Sequence, residues 1–177
     1  LENSLDWVEH VKNWPDDRPL CVHAESTTLP AILHITNIYN KKIHVCHVAR
    51  KEEIEIIKRS KEMGQQITCE VSPHHLFMTH GCECIPDKCD GVKPPLMHNE
   101  DQKALWDNMD IIDCFATDHA PHTLEDKQEK GCPGFPGLET ALPLLLTAVK
   151  QGRLTLDQII EKYHTNPKKI YGLPDQP

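Results

Sequence analysis

Short apolar runs alternate along the chain with longer segments in which apolar residues recur every three or four positions. The short runs predict strands at 20–24, 43–48, 67–71 and 111–116. The longer segments predict helices at 1–14, 28–39, 51–61, 99–109, 138–151 and 156–163. Strands that alternate with helices are typical of βα units, whose strands form a parallel sheet covered by helices. The pattern therefore predicts an α/β fold.

The composition is that of a globular protein and argues against two classes of function. Of the 177 residues, 38% are hydrophobic and 26% are charged, and no apolar run approaches the roughly 20 residues of a membrane span. The chain has 19 Lys and Arg against 27 Asp and Glu, a net charge of -8, whereas a nucleic-acid surface needs clustered Lys and Arg. We therefore expect a small-molecule substrate or a protein partner, with no nucleic acid and no membrane.

The eight cysteines favour reduced thiols over a disulfide framework. Four of them lie within predicted strands: Cys21, Cys46, Cys69 and Cys114. Because disulfide frameworks are typical of short secreted chains, thiols in these positions indicate a cytoplasmic protein. A tighter group of His and Cys at 80–89 lacks the paired CxxC spacing of a zinc knuckle, so we expect no structural zinc there.

Metal-ligating or proton-transferring residues occur at or near the C-terminal end of every predicted strand. They are His23 and Glu25, Cys46 and His47, Glu70 with His74 and His75, and Asp118 with His119 and His122. A lone strand histidine is more often structural, but here four successive strands share the feature. The carboxyl ends of parallel strands form the catalytic edge of α/β folds, and imidazole and carboxylate are preferred zinc ligands. The sequence therefore predicts a metal site at this edge.

Five ordered motifs carry a resemblance to a known family. CVHAE, IHVCHVARKEE, TCEVSPHHLF, FATDHAPHT and PGFPGLET, within 1–174, resemble the dihydroorotases of the amidohydrolase superfamily. More narrowly, they resemble the dihydroorotase domain of an animal multienzyme that also carries carbamoyl-phosphate synthetase and aspartate transcarbamylase. The resemblance implies zinc-dependent interconversion of N-carbamoyl-L-aspartate and dihydroorotate in pyrimidine biosynthesis. It also implies a cytoplasmic multienzyme that forms homo-oligomers.

The resemblance implies a metal role for five residues. His23 and His47 match ligands of the more buried zinc of a pair. Asp118 matches the residue that binds the other zinc and that also acts as the catalytic acid and base. Cys46 and Glu70 match positions that hold a third zinc, although a buried thiol and an acid that supports the zinc ligands explain these two residues equally well. We therefore expect two or three zinc ions per complete site.

Three further residues match positions on the substrate side of the family's site. His122 resembles a histidine that faces the substrate, and Pro133 matches a residue whose backbone contacts the substrate ring. Lys93 lies where the animal enzymes usually carry an arginine for the substrate carboxylate. Lysine keeps the positive charge but lacks the two-pronged guanidinium, so we expect weaker or differently oriented carboxylate binding.

The motifs correspond to strands five to eight of a TIM (β/α)8 barrel, a fold of roughly 250 residues. The family's first strand supplies an HxH pair and its fourth a carbamylated lysine, and the sequence has no HxH in a suitable strand. Half a barrel leaves two open sheet edges and an unfilled interior. We therefore expect residues 1–177 to be the C-terminal half of a dihydroorotase domain, without a complete domain boundary. We also expect this half to need the N-terminal half of the same barrel and to be inactive alone.

Two alternatives stay open. The first is another cyclic amidohydrolase, of the dihydropyrimidinase or hydantoinase type, which Lys93 and His122 disfavour because a neutral ring explains neither. The second is an inactive dihydroorotase-like scaffold module. Against it stand His23, His47 and Asp118, since a scaffold has no physical need for them.

Overall fold

A parallel sheet of four strands organises the molecule. The computed structural model describes residues 4–83, 85 and 90–175. Its strands are β1 (Leu20–Val22), β2 (Ile43–Val45), β3 (Ile67–Val71) and β4 (Cys114–Phe115). They lie side by side in chain order, and each pairs in parallel with the next. The α/β fold with a parallel sheet is therefore confirmed, and it is the arrangement of one section of a barrel.

Helices precede the sheet, connect its strands and follow it. They are α1 (Ser4–Asn13), α2 (Thr28–Ile38), α3 (Lys51–Glu62), α4 (Pro73–Phe77), α5 (Asn99–Asp107), α6 (Leu124–Lys130), α7 (Leu138–Lys150), α8 (Leu156–Ile160) and α9 (Asn166–Tyr171). A π-helical turn, Glu161–Thr165, joins α8 to α9. None of the helices in the described ranges is long and apolar enough to cross a membrane.

The observed elements differ from the predicted ones mainly where short segments form. The strand expected at 111–116 is reduced to the two residues of β4. Helices α4 and α6 were not expected, because α4 has only five residues and α6 is almost wholly charged. Local signals explain α6: the Thr123 hydroxyl accepts a hydrogen bond from the backbone of Asp126, and Gly131 ends the helix in the left-handed conformation.

The two faces of the sheet have different chemistry. One face supplies buried residues to the core that packs under the helices: Ile43, Val45, Ile67, Cys69 and Val71. On the other face the paired positions Cys21, His44 and Thr68 lie side by side across three strands. Barrel interiors are usually filled by branched apolar side chains, so a polar row at this level indicates a surface used for binding or catalysis.

The described cysteines are partly as predicted. Cys21, Cys46, Cys69, Cys114 and Cys132 carry free thiols. Cys82, in contrast, is disulfide-bonded, so the expectation of reduced thiols is wrong at this residue. Residues 84 and 89, part of the group considered for a zinc knuckle, lie outside the described residues.

Candidate metal centre

His23 and His47 face each other at the carboxyl ends of β1 and β2. The Nδ1 atom of His23 lies 3.0 Å from the Nε2 atom of His47. Two nitrogens bound to one tetrahedral zinc ion, each at about 2.0 to 2.1 Å, lie about 3.3 Å apart. The observed spacing is thus close to that of a pair of ligands on one metal ion.

The protonation of this pair suits a metal ligand. The Nε2 atom of His23 is 2.9 Å from Oε1 of Glu25, so in the neutral ring Nε2 carries the proton and Nδ1 keeps its lone pair. Burial, and then the neighbouring His23, lower the pKa of His47, so its ring is neutral near pH 7. The Nδ1 atom of His47 is buried without a hydrogen-bond partner. A cation held between the two rings would bind the lone pairs of His23 Nδ1 and His47 Nε2. His47 would then carry its proton on Nδ1.

Asp118 follows β4 in a strained backbone conformation. Its φ angle is +47°, and those of His47 and Ser26, which follow β2 and β1, are +34° and +49°. Non-glycine residues adopt such angles at a cost of roughly 1–3 kcal/mol and cluster in functional sites. The negative charge of Asp118 favours a higher pKa for both Cys46 and His47, although burial outweighs this effect at His47. Asp118 therefore lies within electrostatic reach of both side chains.

Glu70 and Cys46 lie beside the histidine pair, on β3 and just after β2. Burial, and next the Glu70 carboxylate, raise the pKa of Cys46 to about 12. This thiol is therefore protonated near neutral pH. Glu70 Oε2 is 3.0 Å from Nε2 of His44, which is fully buried. The other ring nitrogen of His44 lies 2.8 Å from the Thr68 hydroxyl. His44 therefore orients Glu70, an acid predicted either to bind metal or to support its ligands.

The three predicted substrate-side residues lie on loops that are tied together. Lys93, His122 and Pro133 are exposed. The carbonyl of Gly91 accepts hydrogen bonds from the backbone of Gly134, at 2.8 Å, and from Nζ of Lys127, at 3.1 Å. These bonds hold the loop of Lys93 against the loop of Pro133.

The third loop, which carries His122, joins the same group. Ala120 donates a backbone hydrogen bond to Phe135 at 3.0 Å. His122 also lines a cavity of about 350 Å³ together with His74, Phe135 and Thr140. The Nδ1 atom of His119 accepts a hydrogen bond from the backbone of Leu138, the first residue of α7.

The donor atoms present fit zinc in kind but do not by themselves complete a ligand set. Imidazole nitrogen, carboxylate and thiol are all zinc ligands. Within 4–83, 85 and 90–175, however, no three His, Cys, Asp or Glu side chains are grouped closely enough to hold a metal ion. The structure pairs His23 with His47, while the metal roles of these two histidines, like those of Asp118, Cys46 and Glu70, stay predictions.

Comparison with known proteins shows which proteins this chain is similar to. No protein-family model matches the chain. The chain is 52% identical over 178 residues to the multifunctional protein CAD of the shark Squalus acanthias, and 39% identical over 168 residues to the dihydroorotase of Pyrococcus furiosus. These alignments include 99% and 95% of the chain. The chain is a close homologue of dihydroorotases.

Solved structures agree with this dihydroorotase homology. The chain matches the inactive dihydroorotase-like domain of a CAD-like multifunctional protein from Chaetomium thermophilum with a TM-score of 0.82 and 35% identity, over 99% of the chain. It matches the L-hydantoinase of Arthrobacter aurescens with a TM-score of 0.73 and 29% identity, over 82% of the chain. The chain thus has the fold of one part of the dihydroorotase and hydantoinase barrels.

This dihydroorotase homologue spans only part of the proteins it matches. It spans 8% of the shark protein and 39% of the Pyrococcus enzyme. It spans 50% of the Chaetomium domain and 34% of the hydantoinase.

Two residues of the site could not be recognised from motif spacing. Arg50 is no metal ligand and Glu53 lies within a predicted helix, away from the strand ends, yet Arg50 donates to Glu25, whose other carboxylate oxygen lies 2.9 Å from His23. A signal was nevertheless present, because an acidic residue three positions after a helix start is typical of a capping box. Glu53 occupies that position in α3.

Proposed function

We propose that residues 1–177 are the second half, strands five to eight, of a zinc-dependent dihydroorotase that interconverts N-carbamoyl-L-aspartate and dihydroorotate. The observation that carries the proposal is the 3.0 Å approach of His23 Nδ1 to His47 Nε2 at the carboxyl edge of the sheet. Homology to dihydroorotases along almost the whole chain supports it. In this proposal β1 to β4 close a barrel with strands supplied by the N-terminal half.

In the proposed reaction the residues of this chain hold the metal and move one proton. His23 and His47 would hold one zinc ion, Asp118 a second, and Cys46 with Glu70 a third if one is present. Bound zinc supplies a Lewis acid for the ring carbonyl and lowers the pKa of water. Asp118, at the end of β4, takes a proton from the attacking water and returns it to the leaving ring nitrogen. Its strained backbone supports this assignment, since strain of this kind is retained where function requires a fixed geometry.

The substrate carboxylate would lie against the tied loops that carry Lys93, His122 and Pro133. Lys93 supplies the charge, and His122 lines the adjoining cavity. A Lys93→Arg change should lower KM for dihydroorotate, because a guanidinium binds a carboxylate through two parallel hydrogen bonds. A KM that is unchanged would mean that Lys93 does not contact the carboxylate.

The proposed partners follow from the relatives. The chain would act within a cytoplasmic multifunctional protein beside carbamoyl-phosphate synthetase and aspartate transcarbamylase domains, and that protein would form homo-oligomers. The multifunctional nature of the shark homologue supports this placement.

The decisive experiment measures dihydroorotate hydrolysis and zinc content. The chain is assayed alone and then mixed with a second polypeptide that supplies strands one to four. We expect hydrolysis, and two or three bound zinc ions, only when the two polypeptides are mixed. In that mixture Asp118→Asn should abolish turnover without loss of zinc-dependent assembly, while Glu125→Gln, an exposed acid on α6, serves as the matched control. Full turnover of the Asp118 variant would refute its role.

One observation favours a second candidate, an inactive scaffold module. The Chaetomium relative, at 35% identity, is itself described as an inactive dihydroorotase-like domain. Zinc binding without turnover in the mixture, both before and after Lys93→Arg, would favour this alternative. A hydantoinase-type activity would instead appear as hydrolysis of a neutral cyclic amide at a rate that exceeds that for dihydroorotate.

A further inference from the structure

Glu53 is a buried carboxylate whose hydrogen bonds reach both loops that carry the histidine pair. It is 3% exposed. Its Oε1 accepts hydrogen bonds from the backbone of Ser26 and from Nη1 of Arg50, both at 3.1 Å. Its Oε2 accepts from the backbone of Ala49, at 3.2 Å, and of Arg50, at 3.1 Å. Four hydrogen bonds use the full acceptor capacity of a carboxylate.

These bonds connect the two loops that carry the histidine pair. Ser26 lies three residues after His23 in the loop that follows β1, and Ala49 lies two residues after His47 in the loop that follows β2. Both loops contain a residue with positive φ, Ser26 and His47, so neither is held by ordinary backbone preference. The hydrogen bonds of Glu53 hold the two loops in a fixed position relative to each other.

Arg50 extends the network to His23 itself. Its Nη1 atom donates to Glu53 and also to Oε2 of Glu25, at 2.8 Å. The second oxygen of Glu25 lies 2.9 Å from Nε2 of His23. The Glu25 carboxylate thus accepts from Arg50 with one oxygen and faces Nε2 of His23 with the other, which places the proton of His23 on Nε2.

We infer that Glu53, Arg50 and Glu25 form a clamp that positions His23 against His47 and selects the His23 tautomer whose free nitrogen faces the metal. The inference rests on the proposed zinc site. None of the three residues is a zinc ligand in it; each acts through His23 or through the loop backbone. Partners of this kind typically change metal affinity by about 10- to 100-fold.

Arg50→Met is the most direct test because it cuts the link between Glu53 and Glu25 and leaves the backbone bonds of Glu53 in place. Arg59→Met, an exposed position on the same helix, is the matched control. Two quantities are measured on the mixture of this chain with the polypeptide that supplies strands one to four. The first is the tautomer of His23 in zinc-free protein, from long-range ¹H–¹⁵N correlation spectra. The second is zinc affinity, from competition with a chromophoric chelator at pH 7.5.

We expect His23 to be protonated on Nε2 in the wild type and to become a mixture of tautomers in Arg50→Met. Zinc affinity should fall about 10- to 100-fold in Arg50→Met and stay within about twofold in Arg59→Met. Arg50→Lys should restore part of the affinity, since an ammonium keeps the charge but not the shared geometry. If Arg50→Met does not fold, as judged by circular dichroism, Glu25→Gln replaces it, because that change leaves the Arg50 to Glu53 bonds intact.

The outcomes separate the clamp from the zinc site. An unchanged His23 tautomer and unchanged zinc affinity in both Arg50→Met and Glu25→Gln would overturn the clamp, while zinc binding by the wild type would keep the proposed site. A wild type that binds no zinc, with a His23 tautomer that still depends on Arg50, would support the clamp and refute the zinc site.

Discussion

The Nδ1 atom of His23 lies 3.0 Å from Nε2 of His47, although 24 residues separate them in the chain. Parallel pairing of β1 with β2 places both strand ends at one edge of the sheet. The left-handed conformation of His47 then turns its ring toward the first strand. Strand pairing and the conformation of His47 therefore both contribute to the juxtaposition.

Replacement of His47 by Gln should abolish high-affinity zinc binding. The change removes one of the two facing nitrogens, and a single imidazole with solvent water holds zinc weakly. In the mixture with the polypeptide that supplies strands one to four, zinc affinity measured by chelator competition should fall by at least about 100-fold. His34→Gln, an exposed histidine on α2, is the control and should bind zinc as the wild type does. Retained affinity in the His47 variant would place the metal elsewhere.

Replacement of Thr68 by Val should destabilise the protein by roughly 1–3 kcal/mol. With the Glu70 carboxylate accepting from Nε2 of His44, the Thr68 hydroxyl is the donor to the other ring nitrogen. Valine has the same shape but leaves that buried nitrogen unpaired. Urea unfolding measures the change.

The control for Thr68 is Thr147→Val on the exposed side of α7, where the hydroxyl bonds only the carbonyl one turn earlier. It should cost less than about 0.5 kcal/mol, because water replaces the lost partner. Equal effects at the two sites would mean that Thr68 does not hold His44.

The sequence predicted the elements with strong hydrophobic periodicity and the residues that carry chemistry. Strand β3 was predicted at 67–71 and observed at Ile67–Val71. Parallel pairing alone predicts that His23, His47 and Asp118 follow strand ends at one edge of the sheet. The clamp could not be predicted, because a buried Glu53 with four partners depends on loop conformations that local patterns do not specify. Helix α6 was missed because its charged sequence gives no periodic signal.

Replacement of Gly134 by Ala should destabilise the protein and loosen the substrate-side loops. The φ angle of Gly134 is +133°, and an added Cβ would lie 2.5 Å from both the Cβ and the carbonyl oxygen of Ala120. Strain and overlap should together cost at least about 2 kcal/mol. Thermal unfolding and urea unfolding measure the loss.

Gly152→Ala is the matched control for Gly134. Its φ angle is also positive, +72°, but an added Cβ meets no atom within 4 Å. Only backbone strain remains, so the cost should be about 1 kcal/mol. If the two variants lose equal stability, the close approach of Gly134 to Ala120 is relieved by a loop movement.

Stability should decrease as the pH falls below about 6.5, through two histidines buried in α4. Burial is the largest cause that lowers the pKa of His74 to about 3 and that of His75 to about 4. In the unfolded chain both titrate near about 6.5. Between these values the unfolded chain binds protons that the folded protein does not, so the free energy of unfolding falls with pH. This stability is fully present above about pH 6.5 and is lost progressively down to about pH 4 for His75 and about pH 3 for His74.

Between pH 7.5 and pH 5 each histidine should lower the free energy of unfolding by about 2 kcal/mol, because a pKa difference of one unit corresponds to about 1.36 kcal/mol. Urea unfolding at the two pH values measures this difference. His75→Gln keeps a donor for the Pro94 carbonyl, which His75 Nε2 approaches at 3.0 Å, and removes the titrating ring. It should therefore reduce the pH dependence by about half of the histidine contribution, whereas His10→Gln, at an exposed position on α1, should not. An equal pH dependence in wild type and His75→Gln would show that His75 is protonated in the folded protein and that burial does not hold its ring neutral.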